Sequence, residues 1–130
     1  MNNLDAVLSV SKKMKVLYVE DNEVARESTL GLLSNIFTDI VVAVDGQEGL
    51  NEFLKDTTGY NLIISDINMP NMNGREMIQR VREIDENVII FVLTADIEAE
   101  RKVIKNVNAY LHKPIDFMKL LMELEKNFSS

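Results

Sequence analysis

Charged and polar side chains stand at the ends of four short apolar runs that read as β-strands. These residues are Glu20, Asp21, Ser65, Asp66, Thr94 and Lys113. Clustered carboxylates raise one another's pKa unless a cation neutralises them, so this set predicts a cation site. Because the chain has no cysteine and one histidine, an ion that prefers oxygen ligands is expected, Mg²⁺ (or Mn²⁺) first. A lysine and a threonine facing that cation suit a phosphoryl group.

An alternation of strands and helices would bring these side chains to one edge of a sheet. The apolar runs are residues 16–19, 40–44, 62–64, 88–93 and 109–111. Most runs are continuous, as in parallel strands that are buried on both faces. Apolar residues at helical spacing lie between and after them: Leu50, Phe53 and Leu54; Met77, Val81 and Ile84; Phe117, Leu120, Leu121, Leu124 and Phe128. The pattern predicts an α/β fold, a (βα)5 doubly wound sheet of five parallel strands. Ligands of such sheets bind at the carboxyl ends of the strands.

The segment bounds and local signals complete this prediction. Residues 1–13 lack a strong period and are expected to form an arm, a linker or a short helix, and residues 14–130 a single domain. Pro114 suits the first turn of the last helix. Three of the polar residues, Asp21, Asn22 and Asp96, have a simpler alternative role as helix N-caps.

Composition excludes several classes of function. The 130 residues carry 14 Lys plus Arg against 21 Asp plus Glu, a formal net charge of −7. This acidic balance argues against direct binding to nucleic acid or to a membrane. The absence of cysteine excludes disulfides and thiolate catalysis. The longest apolar run, residues 88–93, is far below the roughly 20 residues of a membrane helix. With no signal-peptide pattern at the start, a soluble cytoplasmic protein is expected.

Four segments together resemble a known family. They are residues 16–22 (VLYVEDN), 64–70 (ISDINMP), 93–95 (LTA) and 110–114 (YLHKP). In this order, each at a strand end, they resemble the receiver domain of the response regulators of two-component signalling, including those of chemotaxis, over about residues 14–128. The resemblance implies a flavodoxin-like receiver fold.

The resemblance also implies a role for each matching residue. Asp66 would accept a phosphoryl group from a phosphohistidine on a histidine kinase or a phosphotransfer protein. Asp21 would bind Mg²⁺ directly and Glu20 through water, with the Asp66 carboxylate and the main-chain carbonyl of Asn68 completing the protein ligands. The phosphoryl oxygens would be bound by two further residues, Thr94 and Lys113.

Regulation follows from the same resemblance. Tyr110 matches the aromatic switch residue, which turns inward once Thr94 moves toward the phosphate; a plain half-buried strand aromatic is the alternative. Asn68 and Asp96 would flank the phosphoryl group and tune its hydrolysis. The domain would be no enzyme beyond its own phosphorylation and dephosphorylation. It would signal through contact with a downstream protein, and dimerisation on phosphorylation stays open.

Three features depart from the usual family pattern. Residues 105–110 lack the Gly-Ala pair before the switch aromatic, and the segment from Thr94 to Tyr110 is short, so the fourth helix is expected to lose a turn. Gly49 stands inside a predicted helix where alanine is common, at a cost of about 1 kcal/mol in helix propensity. By the receiver-like alternation of the last strand, His112 is expected to point away from the core. A single imidazole without a second ligand or base is also a poor sign of function.

Two rival functions remain open from the sequence. A phosphatase of the haloacid dehalogenase kind also uses a strand-end aspartate, Mg²⁺ and a lysine, but it needs a second acid two residues on, where this chain has Asn68. The other rival is a pseudo-receiver that binds partners without phosphorylation. A stand-alone regulator, a phosphorelay intermediate and a piece of a larger protein are equally compatible with the sequence.

Overall fold

Five parallel strands form one sheet in the computed structural model, which describes residues 3–128. The strands are β1 (Lys15–Val19), β2 (Asp39–Ala43), β3 (Leu62–Asp66), β4 (Ile89–Thr94) and β5 (Ala109–His112). The helices are α1 (Asn3–Ser11), α2 (Glu23–Leu33), α3 (Gly46–Leu54), α4 (Gly74–Ile84), α5 (Ile97–Val103) and α6 (Phe117–Phe128). The predicted α/β fold is confirmed: the domain is flavodoxin-like, and α1 precedes the five alternating strands and helices of the (βα)5 pattern.

The strand order determines where a site can form. The order is β2-β1-β3-β4-β5. After β1 the chain adds β2 on one side of it, then crosses to the other side and adds β3, β4 and β5 in sequence. The reversal point lies between β1 and β3, where the loops leaving the two strands diverge and open a crevice at their carboxyl ends. In the register of this pair Val19 lies beside Ser65. Glu20 and Asp66, the next residue of each chain segment, therefore leave the sheet side by side.

Each face of the sheet packs against its own group of helices. On one face Tyr18, Ile64 and Phe91 pack with α1, α2 and α6, whose contacts include Leu33 and Leu124. On the other face Val19, Ile63 and Val92 pack with α3 and α4, through residues such as Phe53 and Met77. Burial on both faces explains why the strand sequences are continuous apolar runs, as predicted. The two layers hold the sheet rigid beneath the loops at its carboxyl edge.

Short polar side chains begin five of the helices. The residues Asn22, Asp45, Asn73, Asp96 and Asp116 each accept a hydrogen bond from the backbone amide three residues ahead. An N-cap of this kind contributes about 1 kcal/mol to stability. Two of the three predicted cap positions are therefore caps, while Asp21, the third, precedes the cap of α2. All five caps stand on loops that leave the carboxyl ends of strands, so they also orient the loops around the crevice.

The segment before β1 is helical. Residues 3–11 form α1, the short-helix alternative for this segment, and Val7 is buried against the same core as α6. Residues 1–2 and 129–130, at the outer ends of the two predicted segments, lie outside the described part of the chain. Among residues 3–128, no helix has the length and apolar character needed to cross a membrane.

Some local predictions are wrong. Pro114 does not start the last helix: it follows a cis peptide bond after Lys113, and α6 begins at Phe117. The helix patterns also contain end residues that stay exposed, namely Leu54, Ile84 and Phe117. Each lies in the first or last turn of its helix. Periodicity alone does not reveal which residues of a helical face stay exposed.

Candidate functional site

Three of the predicted site residues lie together at the reversal point. Side chains alternate along a strand, so Glu20, Asp66 and Lys113 continue the same face as Tyr18, Ile64 and Leu111. Glu20 is fully buried, and Asp66 is 9% exposed. The Lys113 ammonium nitrogen lies 2.9 Å from Glu20 Oε1 and 3.1 Å from Asp66 Oδ2. One lysine thus bridges two buried carboxylates that come from different strands.

Burial and the ion pairs shift the pKa values of this cluster. Burial raises the pKa of Glu20, and although Lys113 opposes this, the neighbouring Asp66 carboxylate adds to it. Burial alone would lower the pKa of Lys113, but its close pairing with the Glu20 and Asp66 carboxylates outweighs that effect and raises it. Below them, burial raises the pKa of Tyr18 to about 12, so its phenol stays neutral. The lysine is therefore held charged, and Glu20 is under electrostatic strain.

Backbone groups hold the carboxylates in place. The Ile67 amide donates to Asp66 Oδ1 at 2.8 Å, and the Asn22 amide donates to Glu20 Oε2 at 3.3 Å. Arg26 donates from Nη1 to the carbonyl oxygens of Glu20 and Asp21, at 3.1 and 3.3 Å. These bonds fix the loop between β1 and α2. The carboxylates therefore have little freedom to move apart, despite their repulsion.

The carboxylates fit a divalent cation. One carboxylate oxygen from each of Glu20, Asp21 and Asp66 lies within 4.8 Å of the others. Glu20 Oε1 is buried and lacks a hydrogen bond of good geometry, although Lys113 lies close to it. Asp21 is exposed at the mouth of the cluster. A set of oxygen ligands, two buried and one open to solvent, suits Mg²⁺, which keeps several of its waters when bound.

Thr94 lies at the same edge of the sheet as Lys113, and strand alternation makes it continue the face of Ile90 and Val92. It is 6% exposed and ends β4, which pairs with β3 on one side and β5 on the other. Its hydroxyl accepts from the Asp96 amide at 3.1 Å and donates to the Asp96 carbonyl at 3.4 Å. The Asp96 side chain caps α5 by accepting from the Ala99 amide at 3.1 Å. The cap alternative for Asp96 is therefore observed, and its influence on hydrolysis stays a prediction.

Tyr110 lies on β5, on the same face of the sheet as Thr94 and two residues further from the carboxyl edge. It pairs with Val92 in the sheet, and Thr94 follows Val92 by two residues. The ring is half-buried, with the Arg101 guanidinium 5.5 Å above its centroid. The hydroxyl donates to the carbonyl of Ile104, at the end of α5. Tyr110 thus connects β5 to α5, which begins beside Thr94.

Comparison with known proteins decides the family. The model of the response regulator receiver domain matches residues 16–125 of the chain. The chain belongs to this family. It is 36% identical over 110 residues to the transcriptional regulatory protein HprR of Escherichia coli, covering 83% of this chain and 48% of that protein. It is also 29% identical to sensor histidine kinase RcsC of Escherichia coli, covering 85% of this chain and 12% of that protein.

A solved structure shares the fold of this chain. The N-terminal domain of an uncharacterized protein, WS1339 of Wolinella succinogenes, superposes with a TM-score of 0.76 at 33% identity. The match covers 88% of this chain and 93% of that domain. The receiver chain spans less than half the length of the curated relatives that it matches.

The remaining predicted residues of the receiver lie at the surface. Asn68 is exposed two residues beyond Asp66, at the start of the loop that leads to α4. His112 is exposed too, and this agrees with the prediction that it points away from the core. The helix between β4 and β5, expected to be short as the fourth helix of the (βα)5 pattern, is α5. It has 7 residues and is shorter than the other described helices.

Sequence reasoning missed contacts that shape the receiver site. Arg26 holds two carbonyls of the β1–α2 loop, and the loop after Asp66 is attached to α3 through Asp45 and Asn71. Arg26 carries a weak signal, because it lies on the first turn of a helix that starts next to the carboxylates. The pairing of Asp45 with Asn71 has no signal in the sequence, because 26 residues separate the two.

Proposed function

We propose that this receiver domain is a phosphorylation-controlled switch whose phosphoacceptor is Asp66. The observation that carries the proposal is the ion pairing of Lys113 with both Glu20 and Asp66 at the strand ends, beside an acidic set that fits Mg²⁺. Two buried carboxylates and a charged lysine are costly to keep without a use, so their conjunction supports a reactive centre.

The proposed reaction transfers a phosphoryl group from a phosphohistidine to Asp66. The P–N bond of the donor breaks, a P–O bond forms to one carboxylate oxygen, and the leaving imidazole keeps the electron pair of the broken bond. The product is an acyl phosphate. Bound Mg²⁺ supplies positive charge that offsets the negative charge of the phosphoryl oxygens. It would be held by Glu20, Asp21 and Asp66, with the main-chain carbonyl of Asn68.

The residues around Asp66 orient the carboxylate and stabilise the product. Lys113 already lies 3.1 Å from Asp66 Oδ2 and is placed to pair with the phosphoryl oxygens. The Ile67 amide fixes the other carboxylate oxygen, so the nucleophile has a set orientation. The Thr94 hydroxyl, whose bond to the Asp96 carbonyl is long at 3.4 Å, donates to the phosphoryl group instead.

Phosphorylation changes the charge of a small volume. It adds about −1.5 to −2 charge at Asp66, enough to bias a two-state loop. When Thr94 turns to the phosphate, the loop between β4 and α5 moves with it. Tyr110 is attached to the end of α5 and lies on the same face, so it is placed to respond. Asn68 and Asp96 border the group and control the access of water.

The donor in this proposal is a histidine kinase or a histidine phosphotransfer protein. Support comes from the similarity of the chain to a segment of a sensor histidine kinase and to a transcriptional regulatory protein. Output passes through contact with a downstream protein, with no direct role for nucleic acid or membrane. Phosphatase activity on small substrates is disfavoured, because Asn68 stands where a general acid is needed and a carboxamide does not ionise at physiological pH, so it cannot act as a general acid or base.

Incubation with acetyl phosphate, with and without Mg²⁺, tests the proposal. Intact mass should show one labile phosphoryl adduct that requires Mg²⁺ and is absent from Asp66→Ala. Far-UV circular dichroism of the variant controls for loss of the fold. Turnover of a chromogenic phosphate ester, without a stable adduct, would favour the phosphatase instead. If no adduct forms with acetyl phosphate or with a phosphohistidine donor, the switch is ruled out.

A further inference from the structure

The loop after Asp66 is attached to α3 by a pair of side chains outside the acidic cluster. Asp45 Oδ1 accepts from the Glu48 amide at 2.8 Å, and its other oxygen, Oδ2, accepts from Asn71 Nδ2 at 2.7 Å. Asp45 is only 9% exposed. The Glu48 amide, followed by the Asn71 side chain, holds the pKa of Asp45 below its ordinary value. Asp45 is therefore ionised, and both hydrogen bonds are charge-assisted.

The backbone of the loop is shaped around this contact. Asn71 has φ 65°, and among residues 3–128 it is the non-glycine residue in the left-handed region. Asparagine enters that region more easily than most residues, but at some cost. The Gly46 amide donates to the Met72 carbonyl at 2.8 Å, and a Cβ on Gly46 would lie 2.1 Å from that oxygen. The loop and the start of α3 are thus in direct backbone contact.

The far end of the loop is closed as tightly. The Gly74 amide donates to the Ile67 carbonyl at 2.7 Å, and a Cβ on Gly74 would lie 2.3 Å from the Asp66 carbonyl oxygen. Residues 67–73 therefore form a closed turn that starts and ends at the backbone next to Asp66. Its outer part is attached to α3, and Asn68 lies between the two attachments.

We propose that the Asp45–Asn71 contact sets the affinity of the receiver site for Mg²⁺ by fixing the shape of this loop. The inference rests on the proposed function, because it uses Asn68 as the main-chain ligand of the cation. Asp45 and Asn71 touch neither the cation nor the phosphoryl group and act as positioning residues. With the contact in place, the loop has one conformation before the cation arrives. Without it, part of the binding free energy must order the loop.

The test measures Mg²⁺ affinity directly, by following backbone amide shifts in NMR titrations. Asn71→Ala should weaken Mg²⁺ binding about tenfold, which is the low end of the loss on removing an outer partner of a metal ligand. Asn71→Gly should weaken Mg²⁺ binding by the same factor. Because glycine tolerates φ 65°, this variant should nevertheless be more stable to unfolding than Asn71→Ala. Asp45→Asn keeps the oxygen that caps α3 but loses the charged oxygen that accepts from Asn71. The double variant Asp45→Asn/Asn71→Ala should therefore bind Mg²⁺ about as weakly as either single variant.

A control variant and a second readout separate positioning from general destabilisation. Asn73→Ala removes the cap of α4 from the same loop and should leave Mg²⁺ affinity within about twofold, since it does not touch the contact. The Gly46 amide should exchange with solvent faster in Asn71→Ala and Asn71→Gly than in the unaltered chain, with or without Mg²⁺. This exchange reports on the loop independently of phosphorylation.

The results separate this inference from the proposed function. If Asn71→Ala binds Mg²⁺ as tightly as the unaltered chain, or if Asn73→Ala weakens binding as much, the positioning role is wrong and the phosphoacceptor role is unaffected. If the Asn71 variants lose Mg²⁺ affinity but the unaltered chain forms no acyl phosphate, the positioning role stands and the proposed function fails. Failure of the unaltered chain to bind Mg²⁺ would overturn the inference.

Discussion

Gly49 in α3 offers a sharp test of how the helices pack on the sheet. A Cβ at this position would lie 2.7 Å from Met77 Sδ and 2.9 and 3.3 Å from the two methyl carbons of Val19. Both neighbours are fully buried. The thioether can move, but the β-branched Val19 is stiff and directly precedes Glu20. The glycine thus has a packing reason that its helix propensity does not reveal.

The magnitude follows from two opposing contributions. Gly49→Ala gains about 1 kcal/mol of helix propensity. Overpacking a tight core costs about 1–3 kcal/mol. We therefore expect a net loss of about 1 kcal/mol in the free energy of unfolding, which for a domain of this size lowers Tm by about 4 °C. Urea denaturation followed by far-UV circular dichroism measures the change, and the m-value should stay constant.

Gly31 provides the matched control. It lies in α2, and a Cβ there would have nothing within 4 Å. The same substitution, Gly31→Ala, should therefore stabilise the domain by about 1 kcal/mol. The two variants should differ in sign, by about 2 kcal/mol in total. If Gly49→Ala proves as stabilising as Gly31→Ala, the close approach of α3 to β1 and α4 is wrong.

Three further outcomes follow from the same structure. Mg²⁺ at ten times its Kd should raise the free energy of unfolding by about 1.4 kcal/mol, as measured in thermal melts. Asp21→Asn should remove most of that increase. Because Asp21 is exposed, the same substitution should change the stability without Mg²⁺ little. Because the pKa of Asp45 is lowered, its contribution to stability is present above the ordinary value of 3.8 and is lost as the pH falls through the folded value. Asp45→Asn should thus be less stable than the unaltered chain at neutral pH, with a difference that shrinks in acid; a constant difference in urea titrations would contradict this. Leu124→Ala should cost about 2–5 kcal/mol in urea denaturation, whereas Met122→Ala on the exposed side of α6 should change stability by about 0.5 kcal/mol or less.

The sheet and the acidic site could be predicted from the sequence for a physical reason. Strands covered on both faces must be apolar throughout, and parallel strands bring their carboxyl ends to one edge. The runs at residues 16–19 and 62–64 therefore located β1 and β3, and their ends located Glu20 and Asp66. The exposure of His112 follows from the same alternation. These features depend on local periodicity, which one sequence contains.

The features that could not be predicted depend on contacts between distant segments. Gly49 looks like a weak point of a helix until Val19 and Met77 are seen against it. The hydrogen bond from Asn71 to Asp45 links two loops, and neither loop has a pattern that indicates the other. Pro114 suits a helix start by its type, yet α6 begins three residues later, after a turn that the local sequence does not reveal.

The most direct test of the central claim is to locate the phosphoryl group. After incubation with acetyl phosphate and Mg²⁺, borohydride reduction converts an aspartyl phosphate into homoserine, and peptide mass analysis then identifies the residue. The result expected is homoserine at position 66. Its yield should depend on Mg²⁺ and should be much lower in Lys113→Ala. Homoserine at another aspartate such as Asp21, 5-hydroxynorvaline at Glu20, or no reduced residue at all would contradict the assignment of Asp66 as phosphoacceptor.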